Sequence, residues 1–89
     1  MAFKGMDVEE ARTGAQNLRK GVEALRTAKT QLSNHANHVH GIWKGQDSDQ
    51  FKGDWDGNHS QKIDGVINAL EEFITRLDKQ IVEQEQASS

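Results

Sequence analysis

The chain contains no cysteine, no proline and no tyrosine. Without cysteine there is no disulfide and no thiolate to act as nucleophile or metal ligand. Without proline, nothing removes a backbone donor or clashes with a preceding turn, so long uninterrupted helices are open to it. Aromatic residues make up only 6% and hydrophobic residues 34%. That is a lean supply for a core, and a small fold built on it calls for a second surface to cover what it leaves exposed. No apolar run approaches the roughly 20 residues of a membrane span, so no stable membrane insertion is expected. The opening Met1-Ala2-Phe3-Lys4-Gly5 lacks the apolar stretch and cleavage site of a signal peptide. Any export is therefore expected to be leaderless, from a protein that is cytoplasmic beforehand. A net charge of −3 argues against nucleic acid as a partner. There is no Gly-rich phosphate loop and no nucleophile paired with a base. An enzyme is not expected, and neither a catalytic residue nor a cofactor is assigned.

What is present is helical periodicity on both sides of a central Trp43-Lys44-Gly45. In the first half, Val8, Ala11, Ala15, Leu18, Val22, Leu25, Lys29, Leu32, Ala36, Val39 and Trp43 alternate steps of three and four. This is the a/d pattern of a heptad. Lys29 is the one charged member, with a stem long enough to reach outward. In the second half Phe51 and Trp55 share a face, and Ile63, Ile67, Leu70, Ile74, Leu77 and Ile81 continue the seam. Asp7 with Glu10, and Asp47 with Gln50, have the spacing of capping boxes. The expectation is an all-α single domain over residues 1–89, a helix-turn-helix antiparallel hairpin. Helix 1 covers about 7–40, the turn 41–47, helix 2 about 48–83, and a polar tail 84–89 frays. Residues 53–60, with two glycines and an asparagine, are weak helix held by Trp55.

Charge spacing gives a register. Arg12, Arg19 and Arg26 are seven apart, as are Asp64, Glu71, Asp78 and Glu85, and both sets fall at heptad position e. A hairpin folded about Gly45 pairs Arg26 with Asp64, Arg19 with Glu71 and Arg12 with Asp78. On the opposite edge, position g holds Gly14, Gly21 and Ala28 in helix 1 and Val66 and Phe73 in helix 2. Glycine inside a helix costs about 1 kcal/mol relative to alanine, so the small row points to close approach by another surface. This g edge, with the a positions beside it, is the expected dimer interface of a four-helix bundle. His35, His38, His40 and His59 are the remaining candidates for chemistry. His35 and His38 have ligand-pair spacing, but no carboxylate completes a site, so no metal is assigned. Bundle-edge histidines would make assembly sensitive to mild acid.

Trp43-Lys44-Gly45, the run Gln46-Asp47-Ser48-Asp49-Gln50-Phe51, Trp55, and the ending Glu83-Gln84-Glu85-Gln86-Ala87-Ser88 together resemble the WXG (Trp-x-Gly) family. These are the early-secreted-antigen-like small proteins of type VII (ESX-type) secretion, and the likeness is to the actinobacterial type. It extends over essentially the whole chain. It implies a dimerising hairpin, as homodimer or heterodimer with a related WXG protein, and leaderless export by a secretion ATPase. In that setting the chain is a secreted substrate or co-secreted partner. The alternatives are a cytosolic targeting adaptor for a larger type VII toxin and, more remotely, a membrane-active helical protein. Trp43 and Gly45 are assigned to the turn, and Phe51 and Trp55 to packing against it. Many relatives carry a Tyr-x-x-x-Asp/Glu secretion signal after helix 2. With no tyrosine here, the nearest substitute is Ile74, Asp78 and Ile81.

Overall fold

The computed structural model describes residues 6–88. Helix α1 runs Val8–Ile42, α2 runs Gln46–Asp54, a π-helical turn occupies Trp55–His59, and α3 runs Ser60–Ser88. The last three form one continuous helical arm, antiparallel to α1. The resulting hairpin is a rod measuring 64 × 17 × 15 Å. Asp7 starts α1: its Oδ1 accepts from the Glu10 backbone N–H at 3.0 Å, and Glu9 and Glu10 place negative charge on the first turn, where the helix dipole favours it.

The turn is tighter than expected. Gly41 remains helical, α1 ends at Ile42, and only Trp43, Lys44 and Gly45 lie between helices. Asp47 does not cap the second arm. Gly45 is the cap residue, at φ +139° and ψ 171°, with no side-chain hydrogen bond to the helix start. That backbone conformation is open essentially to glycine alone. A Cβ at Gly45 would meet no atom within 4 Å, so the demand for glycine is one of backbone conformation and not of space.

The second arm carries a feature that the seam conceals. Phe51 and Trp55 are four apart, Ile63 follows eight later, and Ile67 four after that. In an α-helix of about 3.6 residues per turn, successive steps of four rotate steadily off the contact face. The π turn corrects this. The Ser60 N–H bonds to the Trp55 carbonyl, a five-residue step that takes up one extra residue. Trp55 and Ile63 then both face α1. The polar end, expected to fray, is instead helical through Ser88; Ser89 lies outside the described residues. Its Glu, Gln and Ala residues are good helix formers, and Glu85 is tied to Arg12.

The charged residues of the e edge form a ladder, displaced by one heptad from the expected pairing. Arg26 pairs with Glu71, Arg19 with Asp78 and Arg12 with Glu85. Asp64 pairs with Lys29 at 2.6 Å, so Lys29 is the end rung of the ladder. The displacement follows from side-chain direction. Side chains on a helix lean toward its N-terminus. On α1 that direction is away from the turn, and on α3 it is toward the turn. An arginine of α1 therefore meets an acid whose backbone lies farther from the turn than its own.

The core is one row wide. Ala15, Val22 and Ala36 of α1 and Ile67, Ile74 and Ile81 of α3 are buried, and all are a positions. Val22, Ile67 and Ile74 form its centre. The d positions Leu18, Leu25, Ile63, Leu70 and Leu77 are only half-buried.

Three outcomes follow. Gly45→Ala should destabilise the hairpin by about 1–3 kcal/mol in urea unfolding, even though the site has room. Deleting Gly57 should turn the π segment into α-helix with Trp55 and Ile63 still on one face, leaving the helix signal intact and the melting temperature equal or higher; loss of helix would refute the phase argument. In a double-mutant cycle, Arg19→Glu should couple to Asp78→Arg by about 0.5 kcal/mol, and more strongly than to Glu71→Arg.

Candidate functional site

The two edges of the hairpin differ in kind. On the e edge, long arginine and carboxylate side chains lie over the seam and close it. On the g edge, α1 offers Gly14, Gly21 and Ala28, which cover nothing. A Cβ added at Gly14 or Gly21 would meet no atom within 4 Å. On the same edge of α3, Val66 is 52% and Phe73 56% exposed. The d row beside this edge is consequently uncovered. The expectation that a positions flank the open edge is corrected here: the a row is interior, and d borders g. The open face joins the d residues Leu18, Leu25, Leu70 and Leu77 to the g residues Gly14, Gly21, Ala28, Val66 and Phe73 in one apolar strip.

The strip continues to the closed end of the rod. There Leu32, Ala36, Val39, Trp43, Phe51 and Trp55, with His35, line an open apolar groove of about 350 Å³. Trp43 is 46% exposed: it borders the groove and does not seal the end of the hairpin. Two polar contacts hold the tip together. Trp55 Nε1 donates to Ser33 Oγ at 2.9 Å, tying the π segment to α1. His40 Nε2 lies 2.8 Å from Asp49 Oδ1, joining the last turn of α1 to the first of α2. Ser48, which sequence reasoning treated only as a helix start, is 1% exposed, and its Oγ has no hydrogen-bond partner. Burial this complete favours a small side chain at the start of the second arm.

The histidines do not converge. His40 is paired with Asp49, His35 lines the groove, and His38 and His59 are exposed. Among the described residues, no three His, Asp or Glu side chains come together to hold a metal ion. Ile74 and Ile81 are core residues and Asp78 belongs to the ladder, so the folded hairpin does not present these three together as a signal. Among the described residues, no helix is long and apolar enough to cross a membrane.

The described residues thus form a helical hairpin with one covered and one open edge. The chain belongs to the WXG100 family, described as proteins of 100 residues with WXG, whose model it matches over residues 5–86. No curated protein and no solved structure matches it. Membership makes it a small protein associated with type VII secretion, in a family of helical proteins not known as enzymes, whose members typically pair with related WXG proteins.

Proposed function

We propose that this chain is a substrate or co-secreted partner of a type VII secretion system and travels as half of a WXG pair formed through its open d/g face. The uncovered face carries this reading. A hairpin that buries only its a row retains a strip of leucine, valine and phenylalanine along its length, and a second hairpin laid on it completes a four-helix bundle. Gly14, Gly21, Ala28, Val66 and Phe73 are its contact residues. The ladder from Arg12 to Glu85 acts earlier, holding each hairpin in the register that lines up those residues on one edge. Trp43, Gly45, Phe51 and Trp55 shape the tip, whose apolar groove is the surface available to the secretion ATPase once the sides of the rod are paired.

Export is tested by following the chain in culture supernatant. It should appear there in cells with an intact secretion ATPase and remain cell-associated when the ATPase is deleted. Retention in both strains would favour the cytosolic adaptor role. Phe73→Asp should abolish pairing, because a carboxylate would be buried without a partner, and should reduce export in parallel. A variant that still pairs would remove the g edge from the interface.

A further inference from the structure

We propose that the apolar groove at the closed end of the rod receives a basic amphipathic helix of another protein, which sets its apolar residues on the groove floor and its lysines or arginines against Asp47 and Asp54. This rests on the tip staying open once the sides of the rod are paired, and it adds the chemistry of what docks there.

The floor is apolar and faces solvent. Leu32, Val39, Trp43 and Phe51 line it, and all four are exposed. From Leu32 to Trp43 it follows the axis of α1 for about 16 Å, or about three helical turns. Ile42, 70% exposed, stands three residues after Val39 and carries the α1 bank outward. An elongated occupant with apolar side chains at steps of three and four matches a floor of this shape.

Charge makes that occupant basic. Residues 46–58 hold four aspartates and one lysine, so the whole formal excess of three negative charges sits in this stretch. Two of the four are engaged, Asp49 with His40 and Asp56 with Lys52. Asp47 and Asp54 are exposed and have no ion pair among the described residues. On a helix the neighbours of Phe51 stand three and four residues away. Ser48 and Trp55 are those on its α1 side, one buried and the other lining the groove. Asp47 and Asp54 are those on its outer side, about 10 Å apart along the axis. The α1 bank opposite, from Thr30 to Trp43, contains no lysine, arginine or carboxylate. Lys44, in the turn, and the engaged Lys52 are the lysines of this end. Two unpaired carboxylates along one bank of an apolar groove attract a helix with basic residues on the matching flank. They repel an acidic segment or an anionic membrane.

The test is a titration of the purified full-length chain, at neutral pH and low salt, with a short helical peptide. Its leucines alternate at steps of three and four, and two lysines stand seven apart on one flank; a counterpart carries glutamates in their place. Trp43 and Trp55 are the only tryptophans and both line the groove, so their emission reports occupancy directly. The lysine peptide should shift that emission to the blue, and the glutamate peptide should bind roughly tenfold more weakly. Asp47→Asn together with Asp54→Asn should remove the preference, and Ile42→Ser should weaken both peptides. The helix signal should be kept in these variants, because all three residues are exposed. No emission change with either peptide, or equal binding of both to the wild type, overturns the basic occupant. Lysine-peptide binding that is indifferent to the aspartate and Ile42 substitutions overturns the groove as its site. A blue shift on vesicles of anionic phospholipid and none with the peptide overturns it in favour of a lipid surface. Light scattering and ATPase-dependent appearance in the supernatant read pairing and export separately, so either can fail while the groove's occupant stands.

Discussion

Two helices in contact can enclose one row of side chains, and the heptad of this chain supplies two. The hairpin buries its a residues, alanine and valine on α1 against isoleucine on α3, and leaves the d residues at the margin. Whether that margin is covered depends on what borders it. On the e side the border is arginine and carboxylate, whose long side chains lie across the seam. On the g side of α1 the border is glycine and alanine, and the seam stays open. The difference in exposure between the two edges of the rod follows from this inequality.

The ladder and the open edge are complementary parts of one arrangement. Each rung is about half-exposed, and pairs of that kind contribute little to stability individually. Their value is directional. Arginines and acids at the same heptad spacing fit together only at steps of seven residues, and a slip by one residue would separate all of them. Holding that alignment keeps Phe73 level with Gly21 and Val66 level with Ala28. A hydrophobic row one residue wide tolerates axial sliding more readily than a row of charge pairs does, so the polar edge positions the apolar one.

The tip obeys different rules. Gly45 reverses the chain through a backbone conformation that other residues avoid. The π turn restores the facing of α3 after the steps of four from Phe51. Ser33, Trp55, His40 and Asp49 then pin the arms where the heptad is interrupted. The buried hydroxyl of Ser48, without a partner, is a cost at this end of the molecule. The exposed tryptophan and phenylalanine left by this construction give the rod an apolar end as well as an apolar side.

The amino-acid sequence by itself determined the helices, the turn at Trp43-Lys44-Gly45, the separation of a charged edge from a small-residue edge, and the family. Each of these is written in spacing along one chain, and spacing maps directly onto the face of a helix. Only the tertiary structure decided which acid each arginine meets, since that depends on the opposite lean of side chains on antiparallel helices. Likewise, that a and not d is interior depends on the rotation of each helix about its own axis, which a heptad pattern leaves free. The π turn was not legible, because the eight-residue step from Trp55 to Ile63 has two solutions, a seam that drifts or a helix that widens. Packing Trp55 against Ser33 selects the second. The helical ending was hidden for a related reason: residues with no apolar face are ordered by a partner on the other arm, Arg12, nearly the full length of the chain away.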